Sequence, residues 1–283
     1  MSTKIKFAVI GAGRIGKRHA SMVKLNKDAE LVAIVDTDES LKEELEKEFN
    51  VPFFTSSEAL YKAGIEMDVV NICTPNYLHA PQAIEALQHK CHVVVEKPMA
   101  LTKVDAEKVI HYSLQVNKRV FCVMQNRYSP PSRWLKEVVG SNLLGEIYMV
   151  NINCFWNRDD DYYKGGDPNY WKGKLEKDGG TLFTQFSHFL DTMYWLFGDI
   201  KNIKASFYDF NHQKTTEFED SGIVQFDFVN GGAGSLNYST AVYDQNMESS
   251  ISIVGEKGAV KVGGQYMNEI VYCHIKGYQM PEL

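Results

Sequence analysis

The 283 residues, 44% hydrophobic and 23% charged, are about twice the length of a typical domain and ordinary in composition, which excludes disordered, collagen-like and repeat architectures. Thirty Lys and Arg against 36 Asp and Glu leave a formal charge of −6, which repels a polyanion, so no nucleic-acid partner is expected. Apolar runs such as residues 5–10 and 93–95 fall far short of the roughly 20 residues needed to span a bilayer, and Met1-Ser2-Thr3-Lys4 leads into a strand-like run without the apolar core of a secretory signal; no membrane partner is expected, and the cytoplasm is the default location.

Over the first 124 residues, short β-branched runs alternate with amphipathic stretches. Strands are expected at 5–10, 31–36, 51–54, 69–73, 92–96 and 120–124, with helices at 15–25, 39–49, 78–89 and 103–115 between them. Strands joined by helices pair in parallel, and several are apolar nearly throughout, as strands covered on both faces are. This is an α/β domain over residues 1–124.

After Pro130-Pro131 the grammar changes. A helix is expected at 132–140, an alternating run at 146–156, a polar Gly-rich stretch as far as Gly180, and a helix over 180–197 that Gly198 ends. Further alternating runs are separated by hairpin-type turns at Asn230-Gly231-Gly232 and Gly255-Glu256-Lys257-Gly258. Residues 125–283 thus read as a second domain, mostly antiparallel sheet plus helix. Its set Phe207, Phe226, Phe228 and Tyr238 provides a dimer face if left open, and is core if a helix covers it. Five cysteines, without C-x-x-C, read as reduced thiols, and no metal site is expected.

The sharpest local pattern is Gly11-Ala12-Gly13-Arg14-Ile15-Gly16, placed after a strand and opening a helix. The first glycine makes a tight turn, the second lets the backbone approach a pyrophosphate, and the third lets helix and strand pack closely, while the helix N-terminus faces the phosphates. Asp36, at the end of the next strand, has the spacing of a carboxylate that accepts from an adenosine ribose diol. It would repel a 2′-phosphate, and Thr37 brings no compensating Arg, so NAD is expected rather than NADP. The pattern alone is weak; its position between strand, helix and carboxylate gives it weight.

Two more segments fall at strand carboxyl ends, where open α/β sheets bind ligands: Thr74-Pro75-Asn76-Tyr77-Leu78-His79 and Glu96-Lys97-Pro98. A lone Glu-Lys-Pro usually marks a solvated strand end. Beside a nicotinamide, the Lys97 ammonium would bond a substrate hydroxyl and stabilise the developing alkoxide. On the helix from Gly180, residues 184, 188 and 191–192 share one face, which puts Thr184 and His188 on a polar stripe. An isolated His is more often a satisfied surface or core group, but an imidazole titrates near neutrality and suits a carbinol proton.

Taken together, the Gly-rich turn, the T-P-N-x-x-H segment, Glu96-Lys97-Pro98 and Gly179-Gly180-x-Leu182 with His188 and Asp191 resemble the Gfo/Idh/MocA oxidoreductase family over nearly the whole chain. The resemblance implies an N-terminal Rossmann domain, a doubly wound parallel sheet, joined to a C-terminal α+β domain. The large, mostly antiparallel open sheet of the second domain faces a partner subunit in a homodimer or homotetramer. It implies oxidation of a sugar or cyclitol carbinol with Lys97 and His188, one from each domain, and it places Gly11, Gly13, Arg14, Ile15, Gly16, Asp36, Thr74, Pro75, Asn76, His79, Glu96, Lys97 and Gln125 around NAD.

Phe155-Trp156, Tyr162-Tyr163, Trp171-Lys172-Gly173, Gln185-x-Ser187-His188 and Gln245-Asn246 look like a narrower branch, the UDP-N-acetyl-glucosaminuronate 3-dehydrogenases of surface-polysaccharide biosynthesis. Their 3-keto product is then aminated by a pyridoxal-phosphate aminotransferase. A nucleotide-sugar substrate requires local cations, with Arg127, Arg158, Lys164, Lys172 and Lys174 as candidates. Trp156, Tyr163 and Trp171 would stack on uracil or a sugar face, beside Gln185 and His188.

Two departures stand out. Thr184, grouped with Lys97 and His188 as catalytic, occupies a position where the family carries Asp and the branch Asn, and it cannot be a charged partner for Lys97. Family members also continue past Asn268-Glu269-Ile270 into a helix that packs on the first domain, which is expected to be missing from a sequence ending at Pro281-Glu282-Leu283. Which of Lys97 and His188 is the base stays open. So do two other readings: a different sugar or inositol dehydrogenase or NAD-dependent glycosidase, and a non-catalytic NAD(H) sensor.

Overall fold

The structure, a computed structural model, describes residues 4–280. The residues at either end, Met1 to Thr3 and Pro281 to Leu283, lie outside it. The chain divides into two compact units on either side of the Val123–Met124 bond.

The first unit runs β1 (Ile5–Ile10), α1 (Arg14–Leu25), β2 (Ala29–Val35), α2 (Lys42–Phe49), β3 (Phe53–Phe54), α3 (Ser57–Lys62), β4 (Val69–Ile72), α4 (His79–Gln88), β5 (His92–Val95), α5 (Lys103–Gln115) and β6 (Val120–Cys122). Its six strands are all parallel, in the order β3-β2-β1-β4-β5-β6. The order reverses direction between β1 and β4, which opens a crevice at their carboxyl ends. Buried β-branched and small residues on both sides of the sheet, among them Val9, Ile34, Val70, Ile72, Val93 and Val95, explain the unbroken apolar strands of the sequence.

The second unit runs α6 (Pro130–Gly140), β7 (Ile147–Phe155), α7 (Leu175–Asp178), α8 (Thr181–Thr184), α9 (Ser187–Phe197), β8 (Ile200–Tyr208), β9 (Ser221–Phe228), β10 (Ala233–Ser239), β11 (Glu248–Gly255), β12 (Gly258–Gly263) and β13 (Glu269–Ile275). The seven strands lie in the order β13-β12-β11-β7-β10-β9-β8, antiparallel except for β7 beside β10. Alternation splits each strand between two faces. Val150, Ile152, Cys154, Phe226, Phe228, Leu236, Tyr238, Ile251 and Ile253 form one core with Trp134, Leu135 and Val138 of α6 and Phe189 and Met193 of α9.

That core decides between the alternatives for the aromatic set. Phe226, Phe228 and Tyr238 are at most 4% exposed, whereas Phe207, on edge strand β8, is 56% exposed. The opposite face of the sheet carries cross-strand polar pairs: Asn151 to Ser235 at 2.9 Å, Asn237 to Asn153 at 3.0 Å and Ser221 to Ser239 at 2.8 Å.

Two local expectations need correction. Helix α3 is absent from the expected set; it is a short helix started by Ser56, whose hydroxyl accepts from the Ala59 amide at 3.1 Å. The helix expected over 180–197 is two helices, because the chain leaves helical geometry at Phe186 (φ −114°, ψ 8°), just after Gln185. Phe186 is fully buried among Trp156, Phe189 and Tyr238, and the Gln185 amide is held by Arg158 and Tyr162. Tertiary contacts at these two side chains outweigh helix continuity. Thr184 and His188 therefore sit on different helices rather than along one stripe.

Candidate active site

In the first unit the turn after β1 is built by contact. Gly11 has φ +89°, and its amide donates to Val35 O at 2.8 Å. A Cβ on Gly16 would lie 1.7 Å from Gly11 O, so only glycine lets α1 sit against the turn. A Cβ on Gly13 would meet nothing within 4 Å. Gly13 begins α1 without a side-chain cap, and Arg14 and Ile15 follow it exposed to solvent. This uncapped helix start, with open space over Gly13, fits the pyrophosphate of a dinucleotide. Asp36 accepts from the amides of Ala12 at 2.6 Å (Oδ2) and Asp38 at 3.0 Å (Oδ1), and each carboxylate oxygen retains a second lone pair suited to a ribose hydroxyl.

The loops after β4 and β5 are tied to each other. His79, 1% exposed, places Nδ1 2.6 Å from Pro98 O and Nε2 2.8 Å from Thr74 O. Burial pushes its imidazolium below the ordinary range, against the pull of the two carbonyls. With both ring nitrogens on main-chain oxygens, His79, expected around the cofactor, clasps the Thr74-Pro75-Asn76 loop to the Lys97-Pro98 loop. Glu96 Oε1 lies 3.1 Å from His19 Nε2, and His19 Nδ1 accepts from Asn71 Nδ2 at 3.2 Å. Burial pushes the Glu96 carboxyl up, but His19 and the Lys97 amide and ammonium outweigh it and hold it below the usual carboxylate range. His19 and Asn71 were not singled out from the sequence; their relation to Glu96 is set only when α1, β4 and β5 assemble. Lys97 is half-buried at the end of this arrangement.

In the second unit, His188 is 5% exposed on the first turn of α9. The Thr184 hydroxyl bonds the main-chain carbonyl of Asp178 (3.0 Å) and its carboxylate, and Asp178 also accepts from the Gly173 amide at 2.8 Å. Thr184 is thus turned into the packing of the α7–α8 turn. Arg127 forms a two-point ion pair with Asp191 of α9, at 2.7 and 2.5 Å, and lies over the Trp195 ring. Gln125 is exposed at the head of the same short turn.

Arg158 has the richest surroundings. Its Nε donates to Gln185 Oε1 at 2.6 Å, and Nη1 donates to Asn157 O at 2.5 Å and Asn246 Oδ1 at 3.3 Å. The guanidinium lies 4.9 Å from the Trp156 ring centre and 5.0 Å from that of Tyr162. Gln185 Nε2 donates to Tyr162 OH at 2.7 Å, and Lys172 Nζ stands 3.7 Å above the same ring. Trp156 and Trp171 are half-buried, but Tyr163 is only 2% exposed and packs edge-on against His212. The stacking role expected of Tyr163 is therefore corrected: its ring has no free face, and the ring beside Arg158 is that of Tyr162, its neighbour in sequence.

Residues 5–123 match the model of an oxidoreductase family with an NAD-binding Rossmann fold, and residues 132–261 match the GFO/IDH/MocA C-terminal domain. The WlbA dehydrogenase of Chromobacterium violaceum, solved with NADH and UDP-GlcNAcA, is 34% identical and superposes with a TM-score of 0.91, covering 99% of this chain and 79% of that one. The WlbA dehydrogenase of Bordetella pertussis, solved with the same two ligands, is 35% identical with a TM-score of 0.89, covering 96% and 83%. The D-glucoside 3-dehydrogenase of Escherichia coli is 30% identical over 276 residues, 90% of this chain and 76% of that protein.

The two glycines make separable predictions. Gly13→Ala is expected to keep the melting temperature while weakening NADH binding by about tenfold or more, because a methyl group enters the space a pyrophosphate needs. Gly16→Ala is expected to lower the melting temperature as well. Fluorescence titration with NADH and a thermal melt of each variant check this; tight NADH binding by Gly13→Ala would contradict it.

Proposed function

The chain belongs to the Gfo/Idh/MocA oxidoreductase family, with an NAD-binding Rossmann domain, and from that premise we propose that it oxidises a secondary hydroxyl, at C3, of a UDP-sugar, foremost UDP-N-acetyl-glucosaminuronate. The observation that carries the substrate assignment is Arg158, a guanidinium held between two aromatic rings and locked by Gln185, three residues before His188. An anion site with stacking surfaces, gripped by a residue three positions before His188, suits a negatively charged nucleotide sugar better than a neutral glycoside. Two relatives at 34% and 35% identity were solved with such a ligand, which supports the same substrate class.

Gly11, Gly13, Gly16 and Asp36 would hold NAD, with the loops at Thr74–Asn76 and Glu96–Lys97 beside it. Bound NAD supplies the hydride acceptor. The proton is the work of this chain. His188 receives it from the substrate hydroxyl, while the Lys97 ammonium holds the oxygen as negative charge develops and the carbinol becomes a ketone. Thr184, whose hydroxyl bonds the Asp178 carbonyl, supports the α7–α8 turn.

Self-association through the second unit's sheet belongs to the same proposal. The outer face combines its Asn and Ser pairs with Met149, Ile203 and Ile223, each at least 50% exposed, a mixture usual for protein interfaces. Light scattering is expected to give the mass of two or four chains at micromolar concentration; a single-chain mass would contradict it.

Kinetics test the chemistry. With NAD and UDP-N-acetyl-glucosaminuronate, NADH is expected to appear, and Lys97→Ala and His188→Ala should each lower kcat by roughly 10²-fold or more with NADH binding intact. Arg158→Gln should raise KM for the nucleotide sugar but not for NAD. Near-normal turnover in both reacting-group variants, or faster oxidation of neutral glucosides than of any UDP-sugar, would overturn the proposal.

A further inference from the structure

Behind Arg158 lies a buried pair that neither the dinucleotide turn nor the reacting groups use. His212 and Asp220 are each 1% exposed. His212 Nδ1 is 3.0 Å from Asp220 Oδ2, and Nε2 is 2.5 Å from Arg158 O. A carboxylate and a main-chain carbonyl both accept, and neither can donate. A neutral imidazole has one N–H and fills one of these contacts, whereas a ring carrying both protons fills both; unlike His79, which faces two uncharged carbonyls, His212 has a carboxylate beside it to compensate the second proton.

The surroundings are built for the charge that this requires. Asp220 Oδ2 also accepts from the amides of Phe210 at 3.0 Å and Asn211 at 2.8 Å, and Oδ1 accepts from Ser221 Oγ at 2.7 Å. Burial pushes the Asp220 carboxyl up, but the bonds from His212, Ser221 and Asn211 outweigh it and hold it below the usual carboxylate range. Asp209 Oδ1 accepts from the His212 amide at 3.0 Å. Asp209, His212 and Asp220 have ligand atoms close enough for a cation, but these N–H and O–H donors already occupy the facing oxygens.

The consequence falls on Arg158. Its amide donates to Thr240 O at 2.9 Å and its carbonyl accepts from His212, so the main chain at residue 158 is held on both sides before the side chain departs toward Gln185, Asn246 and the two rings. We propose that His212 and Asp220 form a buried imidazolium–carboxylate pair that positions Arg158 for the anionic group of the substrate, a role that rests on the substrate assignment above. His212 is a positioning residue: it reaches substrate only through the Arg158 main chain. Losing it leaves the guanidinium chemically intact but free to move off its aim, so the cost falls on binding of the anionic substrate and not on hydride or proton transfer.

Two measurements test this. Sequence-assigned nitrogen NMR of the histidine rings in the wild-type protein at neutral pH is expected to show both nitrogens of His212 protonated; an unprotonated ring nitrogen overturns the ion pair, and needs no variant to fold. His212→Phe, which keeps ring volume against Tyr163, and His212→Gln, which keeps one donor, are expected to raise KM for the UDP-sugar by about tenfold or more, with kcat and KM for NAD within about twofold of wild type. Unchanged KM for the UDP-sugar, or equal losses in all three constants, overturns the positioning role. Arg158→Gln separates the two levels: an unchanged KM there overturns the substrate assignment itself, whatever the protonation of His212.

Discussion

The first unit depends on one close approach, that of the third glycine of the turn to the first. With 1.7 Å between Gly11 O and the place where a side chain at residue 16 would begin, α1 can rest on the turn only because Gly16 has none. The consequences spread from there. The start of α1 stands open at Gly13, Asp36 caps the Ala12 amide and ties the end of β2 to the same turn, and the reversal of strand order puts the ends of β1 and β4 side by side. His79 then clasps the loops that follow β4 and β5, so Lys97 is carried on a segment whose position is set by main-chain bonds rather than by its own flexible stem.

The second unit meets a different physical problem, that of charge taken out of water. A buried ion is costly unless paired and hydrogen-bonded. Arg127 is answered by Asp191, and His212 by Asp220. Asp178 is answered by the Gly173 amide and the Thr184 hydroxyl. Arg158 is the exception in kind, since its partners are the neutral oxygens of Gln185, Asn157 and Asn246 and the faces of two rings, none of which cancels its charge. A guanidinium oriented in this way and, among the described residues, without a carboxylate partner is what an anionic ligand needs. The break between α8 and α9 belongs to the same arrangement, because Gln185, which ends α8 just before Phe186, is the residue that grips Arg158.

Period and punctuation made the fold class legible before any coordinates: helices between apolar strands predicted a parallel α/β sheet, and alternating runs with Gly turns predicted the second, mostly antiparallel one. The G-x-G-x-x-G turn was legible because its mechanics are local. What escaped was decided by distant contacts. Nothing near Tyr163 in sequence says that its ring is covered and that Tyr162 takes the place beside Arg158, and the 3.6-residue period that groups Thr184 with His188 cannot register Phe186 being drawn into the core. His79 was found by pattern, but its bond to the Pro98 carbonyl, 19 residues away along the chain, was not. His212 and Asp220 carry no local signal at all; only the folded chain brings them to the Arg158 carbonyl.

The most direct measurement follows a single atom. With NAD and UDP-N-acetyl-glucosaminuronate deuterated at C3, mass spectrometry of the reduced nicotinamide is expected to find the deuterium transferred to the cofactor and a 3-keto nucleotide sugar formed in equal amount. Reduced cofactor without the label, or no reduction by a protein that binds NAD tightly, would contradict hydride transfer from that carbinol.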